Sequence, residues 1–397
     1  MNSKEGLFHF QQKHVLSIQN NALIGATVSQ WLSILWCYGR YIEWKYIPRA
    51  IFITCFSIIN TFLGIIESIL YPAHFINEVP LPENPVFIIG HPRTGTTYLH
   101  NLMATDNTTF YNCSTFCTGF ANCFLWFEKW GKILFARAIS GSRPMDSMPF
   151  SADLPQEDEV ATMILSNGMS YYMPYIFMQQ ETLFRKYFAL DPRDGATPED
   201  EAKWIEAFIY LVRKLVLRAE LEEPNKPRRL LLKTPLHAAR IPILRRLFPK
   251  ATFVYLHRDP YKVIQSTAHM VNTFHWYCRL NTPTDTQTTE YIFWQFERLW
   301  EVYNESAVLN KSQPRQVAND IIELGYNDIV NEPISALQHI YKVAGILWTE
   351  DITKRYQAEL AILEDYKVNK FVDLPEDIQA VIRTRCKDYF IAFGYPM

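Results

Sequence analysis

The chain has 397 residues, of which 48% are hydrophobic, so it can bury a sizeable core and form one large or two ordinary domains. Only 20% of the residues are charged, and the formal net charge is −2. This composition excludes a disordered chain, provides no overall basic field for nucleic acid and leaves the oligomeric state open. Any site for an anion must therefore be local.

The first eighty residues form an apolar segment unlike the rest of the chain. No Asp, Glu, Lys or Arg lies between Lys13 and Arg40, and a second uncharged run extends from Ala50 to Ile66. As a helix, that second run would be roughly 25 Å long, near the lower limit for crossing a bilayer.

Three arrangements of this segment stay open: a membrane hairpin, an interfacial helix pair, and an apolar helical hairpin docked on the catalytic core. Membrane contact through residues 15–70 is therefore one interaction that the sequence allows, and a membrane-associated, cytosolic or Golgi-lumenal location all remain open. The segment PLPENP, Pro80 to Pro85, then separates the N-terminal segment, residues 1–80, from the main domain, residues 81–397.

The seven cysteines give no sign of a metal site. They include no CxxC pair, and their spacings match no zinc or haem pattern. We therefore predict that the protein uses no metal and that most of its thiols are free and buried.

Three short apolar runs of the main domain have strand character: Val86 to Ile89, Leu230 to Leu232 and Thr252 to Leu256. Between the second and third runs, apolar residues recur at helical spacing until Pro249 stops the pattern. Strand, helix and strand in so short a stretch predict a βαβ unit and a parallel sheet. The predicted fold is α/β and P-loop-like, with three layers around a central parallel sheet, preceded by the apolar helical segment.

Each of these predicted strands leads to a cationic side chain. Arg93, Lys233 and Arg258 all follow strand ends. Ligands of open parallel sheets bind beyond the carboxyl ends of the strands, so we expect the three cations to converge on one ligand.

The segment GHPRTGTT, Gly90 to Thr97, has the spacing of a Walker loop, but Thr96 stands where the lysine belongs. Gly90 and Gly95 permit a tight turn, and the backbone amides from Arg93 onward would point at an anion at the helix start. The residues predicted to bind the anion here are Gly90, Arg93, Thr94, Gly95, Thr96 and Thr97.

A P-loop kinase is the weaker interpretation of this loop. It would need a lysine at position 96 and an acidic strand end for magnesium, and neither is present. The triplet HRD at His257 to Asp259 lacks the downstream Asn of a kinase catalytic loop.

The segment GHPRTGTT resembles the 5′-phosphosulfate loop of sulfotransferases that use 3′-phosphoadenosine 5′-phosphosulfate. The nearest form is PR[ST]GTT, which is found in tyrosylprotein sulfotransferases and the broad group related to them. The resemblance implies this nucleotide as co-substrate and gives Arg93 the part of the loop lysine of cytosolic members, with no metal required.

Two further segments agree with this resemblance. RDPYKVIQS is similar to the family's 3′-phosphate motif, which implies that Arg258 and Ser266 bind that phosphate, while Asp259 caps a helix that starts at Pro260. YNDIVNEP matches a family element whose tyrosine lies near the nucleotide, so Tyr326 is a further binding candidate. A late RKG element is not found, and Lys367 and Lys370 are weak substitutes for it.

The general base is not fixed by the resemblance. KTPLH resembles the family's KTP element and implies that Lys233 contacts the sulfonyl group, but Pro235 stands where cytosolic members have their base histidine. We expect Glu157 of the cluster LPQEDEVA to be the base, then Glu159, then His237. Alternatively, the acidic cluster is only a solvated helix start.

The resemblance implies transfer of a sulfonyl group to an acceptor hydroxyl. The alternative is a membrane-tethered nucleotide-binding protein without catalysis. The acceptor stays open among a sterol, another lipid alcohol, a glycan and a peptide tyrosine. The aromatic segments at 169–177 and 274–278 either line its pocket or belong to the core.

Overall fold

The computed structural model describes residues 6–18, 21–135, 140–143, 145–146, 148–310, 315–363 and 371–397. The chain divides into two compact units, which are described separately below. Unit 1 contains residues 1–81, 113–226 and 270–289, and unit 2 contains residues 82–112, 227–269 and 290–397. The N-terminal segment is thus grouped with later segments of the chain, and the domain boundary near residue 80 stays a prediction.

The strands are β1 (Val86–Gly90), β2 (Phe110–Asn112), β3 (Ser140–Ser142), β4 (Pro149–Ser151), β5 (Arg229–Lys233), β6 (Thr252–His257), β7 (Val308–Asn310), β8 (Gln316–Val317) and β9 (Ile321–Gly325). Over the described residues of unit 2, five of them form a parallel sheet in the order β2-β5-β1-β6-β9. β3 pairs with β4, and β7 with β8, in small antiparallel ribbons. The predicted α/β class with a central parallel sheet is confirmed.

The helices, in chain order, are α1 (Val28–Tyr38), α2 (Ile47–Leu70), α3 (Ala73–Glu78), α4 (Thr96–Ala104), α5 (Thr115–Gly119), α6 (Phe124–Leu134), α7 (Asp158–Leu165), α8 (Met173–Ile176), α9 (Glu181–Phe184), α10 (Lys186–Ala189), α11 (Pro198–Glu222), α12 (Ile241–Leu247), α13 (Pro260–Met270), α14 (Trp276–Cys278), α15 (Asp285–Ala307), α16 (Tyr326–Asn331), α17 (Pro333–Val343), α18 (Glu350–Leu363), α19 (Glu376–Arg385) and α20 (Lys387–Phe393). A short 3₁₀ helix, Pro235–Ala239, follows β5, and a π-helical turn, Val271–His275, follows α13.

The three predicted strands are present as β1, β5 and β6, each one or two residues longer than its apolar run. α12 lies between β5 and β6, as the helical spacing predicted. β9 was not predicted, because Glu323 interrupts its apolar pattern; that carboxylate accepts hydrogen bonds from Tyr303 at 2.6 Å and Arg315 at 2.5 Å. Side-chain partners from elsewhere in the fold thus make a charged residue compatible with a strand.

The core of unit 2 lies between the sheet and a group of helices. Leu99 and Met103 of α4 and Leu337 of α17 pack with Val86 of β1 and Val254 of β6, and all five are buried. Because parallel strands in such a layer are covered by helices, β1 is buried at every position. This packing fixes the carboxyl end of β1, where the loop predicted to bind the anion starts.

In unit 1, α1 packs on α2. The side chain of Thr27 caps α1 and the indole of Trp31 donates a hydrogen bond to Thr54 of α2 at 2.8 Å. The segment Trp44–Leu70, which contains α2, is long and apolar enough to cross a membrane by length and composition. The predicted apolar helical segment is therefore present.

Candidate active site

The loop after β1 needs glycine at two positions. Gly90 and Gly95 have φ values of 148° and 98°, which side-chain-bearing residues rarely adopt. A Cβ at Gly90 would lie 2.5 Å from the carbonyl oxygen of Leu256, and one at Gly95 would lie 2.7 Å from the Tyr326 ring. The backbone of this loop thus passes against β6 and against the start of α16.

Arg93 stands at the tip of this loop with φ at 74°, a conformation that costs a non-glycine residue free energy. Its Nε donates a hydrogen bond to the Ser266 hydroxyl on α13 at 3.0 Å, and its carbonyl accepts one from Arg258 at 3.2 Å. The predicted 5′-phosphosulfate and 3′-phosphate motifs, far apart in sequence, therefore meet at Arg93.

Arg258 is held from a second side by Tyr326. The guanidinium carbon lies 3.9 Å from the centroid of the Tyr326 ring, a cation–π contact that orients the cation. Asp259 accepts a hydrogen bond from the Tyr261 amide at 2.9 Å and so starts α13 where the sequence predicted. The same helix carries Ser266.

Lys233 reaches the same loop from the end of β5. Its side chain is buried, and its Nζ lies 3.4 Å from the Thr97 hydroxyl in the first turn of α4. Thr94 and Thr96 are buried as well, and the Thr94 hydroxyl donates to the His91 carbonyl at 2.7 Å. Within unit 2, the structure thus brings together the loop, Lys233, Arg258, Ser266 and Tyr326.

His91, in the same loop, was missed by sequence reasoning. It is buried, its Nδ1 lies 2.7 Å from the Pro92 carbonyl, and its ring packs on Phe296. Burial lowers the pKa of His91 to about 4, so the imidazole is neutral at physiological pH. A histidine beside a proline carries no pattern that signals burial, so the sequence gave no sign that His91 is buried in this loop.

His237, a predicted base candidate, is fully buried on the 3₁₀ helix after β5. Its ring meets the ring of Phe87 edge to face, with the centroids 5.8 Å apart. The surroundings on this side are those of a core aromatic residue.

In unit 1, Glu157 immediately precedes α7. One of its carboxylate oxygens accepts hydrogen bonds from Tyr171 at 2.9 Å and from Tyr172 at 2.5 Å. Glu159 and Asp158 are fully buried, and Glu159 accepts a hydrogen bond from the Ser170 hydroxyl at 2.8 Å. The alternative of a solvated helix start is therefore wrong for Asp158 and Glu159, while Glu157 is only half-buried.

The two phenols beside Glu157 stay protonated. Burial, together with the charge of Glu157, raises the pKa of Tyr171 and of Tyr172 well above the usual value. Tyr175, three residues after Tyr172, stacks on His275 with ring centroids 4.1 Å apart. The segment at 169–177 thus belongs mostly to the core, while two of its hydroxyls donate hydrogen bonds to the Glu157 carboxylate.

Lys367 and Lys370 lie outside the described residues. Among the residues that are described, no group of three or more His, Cys, Asp or Glu side chains is placed to hold a metal ion. All seven cysteines are described and free; Cys37 and Cys55 are exposed and the other five are buried.

Comparison with known proteins agrees with this geometry. The model of the sulfotransferase family matches residues 85–350. The chain is 27% identical over 383 residues to the omega-hydroxy-beta-dihydromenaquinone-9 sulfotransferases Stf3 of Mycobacterium bovis and Mycobacterium tuberculosis, with 94% of this chain and 90% of each relative covered.

Two solved structures share the fold. Sulfotransferase STF9 from Mycobacterium avium matches with a TM-score of 0.60 and 15% identity, over 94% of this chain and 98% of that one. Sulfotransferase STF1 from Mycobacterium tuberculosis matches with a TM-score of 0.55 and 17% identity, over 90% and 91%.

A match of the family model over more than half of the chain shows that the chain belongs to the sulfotransferase family. It is accordingly a sulfotransferase enzyme, which moves a sulfuryl group from a sulfate donor to a hydroxyl acceptor. The family and the enzyme class that the loop motif predicted are confirmed.

Proposed function

We propose that the protein transfers a sulfonyl group from 3′-phosphoadenosine 5′-phosphosulfate to the hydroxyl of a lipophilic alcohol. The observation that carries the donor assignment is the meeting of Arg93, Arg258 and Ser266, with the Arg93 Nε 3.0 Å from the Ser266 hydroxyl. These side chains follow the carboxyl ends of neighbouring parallel strands, which is where such sheets bind their ligands.

In this proposal, Arg258 and Ser266 bind the 3′-phosphate of the donor. The backbone amides from Arg93 to Thr97 hold the 5′-phosphate at the start of α4, where the helix dipole also favours an anion. Tyr326 orients Arg258 from the opposite side. A nucleotide without a 3′-phosphate, such as ATP, cannot make the charge-assisted hydrogen bonds to Arg258 and Ser266 and binds less well.

Arg93 and Lys233 supply the electrostatic stabilisation. As the bond between sulfur and the bridging oxygen breaks, these two cations balance the negative charge that develops on that oxygen and on the sulfonyl group. A new bond forms between sulfur and the acceptor oxygen, and the nucleotide leaves as the 3′,5′-bisphosphate. The burial of Lys233 strengthens its interaction, because less water screens the charge.

Glu157 is proposed as the general base that takes the acceptor proton. Its carboxylate carries two tyrosine hydrogen bonds on one oxygen, which hold the group in one orientation. Glu159 is a second candidate, although it is fully buried and accepts a hydrogen bond from the Ser170 hydroxyl. His237, fully buried beside Phe87, is the third.

The acceptor class is supported by the curated relatives. Their name specifies an omega-hydroxylated dihydromenaquinone-9, an alcohol on a lipophilic molecule. A glycan is the alternative acceptor, since the aromatic residues of the chain are also suited to stacking on sugar rings.

The test is transfer from donor labelled with radioactive sulfate to a cell extract, followed by extraction into organic solvent and identification of the labelled product. The proposal expects label in the organic phase. Label that stays in the aqueous phase on saccharides would contradict the lipophilic acceptor. The donor is tested separately by titration with adenosine 3′,5′-bisphosphate, and equal affinity for ADP would contradict the role of Arg258 and Ser266.

A further inference from the structure

Helix α2 in unit 1 buries both of its charged residues and two of its polar residues against the protein. The buried residues recur every three or four positions and form what we term the inner stripe: Arg49, Ile53, Ser57, Asn60, Leu63 and Glu67. Four of these six are polar or charged. A surface helix of a protein that faces only water has its polar residues on the opposite, exposed side.

The polar groups of the inner stripe are paired with other parts of unit 1. The Arg49 guanidinium donates hydrogen bonds to backbone carbonyls before α1 and around α14. Asn60 donates to the carbonyl of Ile24 at 2.7 Å, and Glu67 forms a buried ion pair with Lys214 at 2.5 Å. One side of α2 is therefore fixed to protein from its first turn to its last.

The opposite side of α2 is apolar and exposed. This outer stripe follows the same spacing and comprises Ile51, Cys55, Ile58, Phe62, Ile65 and Ile69. Ile58 is 60% exposed, Phe62 65% and Ile69 71%. The charged residues of α2, Arg49 and Glu67, both belong to the inner stripe, so an uncharged face of about 36 Å points away from the protein.

Neighbouring helices extend the outer stripe. α1 adds exposed Leu32 and Trp36, and α6 adds exposed Trp130, Ile133 and Leu134. α6 is joined to α2 by a hydrogen bond from the Trp126 indole to the Leu63 carbonyl at 3.0 Å. Exposed apolar side chains in this number on three neighbouring helices indicate an interaction site.

Exposed residues near this surface in the sequence indicate what covers it. Exposed Trp36 and Trp44 lie on either side of Arg40 in the sequence, and all three side chains are exposed. Exposed Lys129 is followed directly by Trp130 on α6. Tryptophan and long basic side chains are the residues that sit at the level of lipid headgroups, where the cations complement phosphate.

We propose that the outer stripe, with the exposed residues of α1 and α6, is a membrane-docking surface on which α2 lies in the plane of the bilayer interface. The inner stripe excludes a lone spanning helix, because its charged groups are already committed to protein partners along the whole of α2. This inference concerns where the enzyme sits and does not depend on the proposed donor or acceptor.

The chain carries its own probes for a test. Cys37 and Cys55 are exposed on α1 and α2, while the other cysteines are buried, so a thiol-reactive dye that is sensitive to polarity labels this surface. The full-length labelled protein is mixed with vesicles of phosphatidylcholine, with or without a minor share of phosphatidylserine. We expect a blue shift of the dye emission and cosedimentation with both vesicle types, stronger with phosphatidylserine.

The variant Ile58→Ser/Phe62→Ser should lower vesicle binding by about a hundredfold, since each large apolar side chain favours transfer from water by roughly tenfold or more. Leu347→Ser, which removes an apolar side chain that is 79% exposed in unit 2, is the matched control and should bind like the wild type. Both variants remove exposed side chains, so folding is retained and is checked by circular dichroism.

Three results would overturn the proposal. Unchanged emission with both vesicle types would show that lipid does not cover the surface. A dimer in vesicle-free buffer that buries the dye would assign the surface to a second copy of the chain. Binding that persists on dilution into excess buffer would indicate a spanning α2 in place of reversible interfacial docking.

Discussion

The loop after β1 in unit 2 differs from the acidic turn before α7 in unit 1 in how its polar groups are positioned. In the loop, Gly90, Arg93 and Gly95 are near neighbours in sequence, and the backbone itself supplies the amides proposed to bind the anion. In the turn, Glu157 is oriented by phenols 14 and 15 residues further along the chain. A phosphate-loop motif can thus be recognised in the sequence because its residues are continuous. The surroundings of a carboxylate depend on the tertiary fold.

The strongest test of the acidic turn is Glu157→Gln, which keeps the shape of the side chain and removes the proposed base. We expect kcat to fall by about 10²- to 10⁴-fold, since that is what general base catalysis contributes. Steady-state kinetics at saturating donor measure it. Glu199→Gln, at the exposed start of α11, is the control and should leave kcat unchanged. Retained kcat in the Glu157 variant would move the role to Glu159 or His237.

The loop side is tested by Lys233→Ala. Loss of one preorganised cation at the sulfonyl group should lower kcat by roughly 10²- to 10³-fold. The affinity for adenosine 3′,5′-bisphosphate should change little, because that product lacks the sulfonyl group. Lys250→Ala removes an exposed lysine just before β6, at the other end of the sheet, and should have no effect. A parallel loss of nucleotide affinity and kcat would make Lys233 a binding residue only.

Ser266→Ala should weaken binding of the donor, with a smaller effect than that of Lys233→Ala on kcat. A hydrogen bond to a charged group is worth about 1.5–3 kcal/mol, so the KM for the donor should rise roughly ten- to a hundredfold while kcat stays similar. Thr267→Val is the matched control, because the Thr267 hydroxyl donates only to its own helix at 2.8 Å. Equal changes in the two variants would point to a disturbance of α13 and away from phosphate binding.

Tyr172→Phe should give the smallest change, a several-fold loss of kcat, because Tyr171 still holds the Glu157 carboxylate. A carboxylate that loses a donor is protonated more easily, so the acid side of the pH–rate profile should shift to higher pH. Tyr210→Phe, on α11, serves as the control. A lower kcat with an unchanged pH–rate profile would show that Tyr172 contributes only packing.

Local chemistry explains what could be predicted from the sequence. The strands β1, β5 and β6, the turn at Gly90 and Gly95 and the start of α13 at Pro260 all follow from neighbours in the chain. The bond between Arg93 and Ser266 was not predicted, because it depends on how α13 packs beside the loop. The family resemblance placed both residues at one nucleotide without giving that contact.

The orientation of α2 could not be predicted either. The uncharged run from Ala50 to Ile66 fits a spanning, an interfacial and a core helix equally well. The burial of Arg49 and Glu67, which flank the run and pair with segments remote in sequence, shows which face of the helix is turned towards protein. Residues outside an apolar run can thus determine which of its faces is covered.

The contact of Tyr326 with Gly95 also links two motifs in evolution. A side chain at position 95 would enter the space of the Tyr326 ring, and Tyr326 in turn stacks on Arg258. Replacement of the glycine would therefore strain the backbone at position 95 and also displace the Tyr326 ring from the arginine. In related chains, positions 95, 258 and 326 should vary together or remain fixed together.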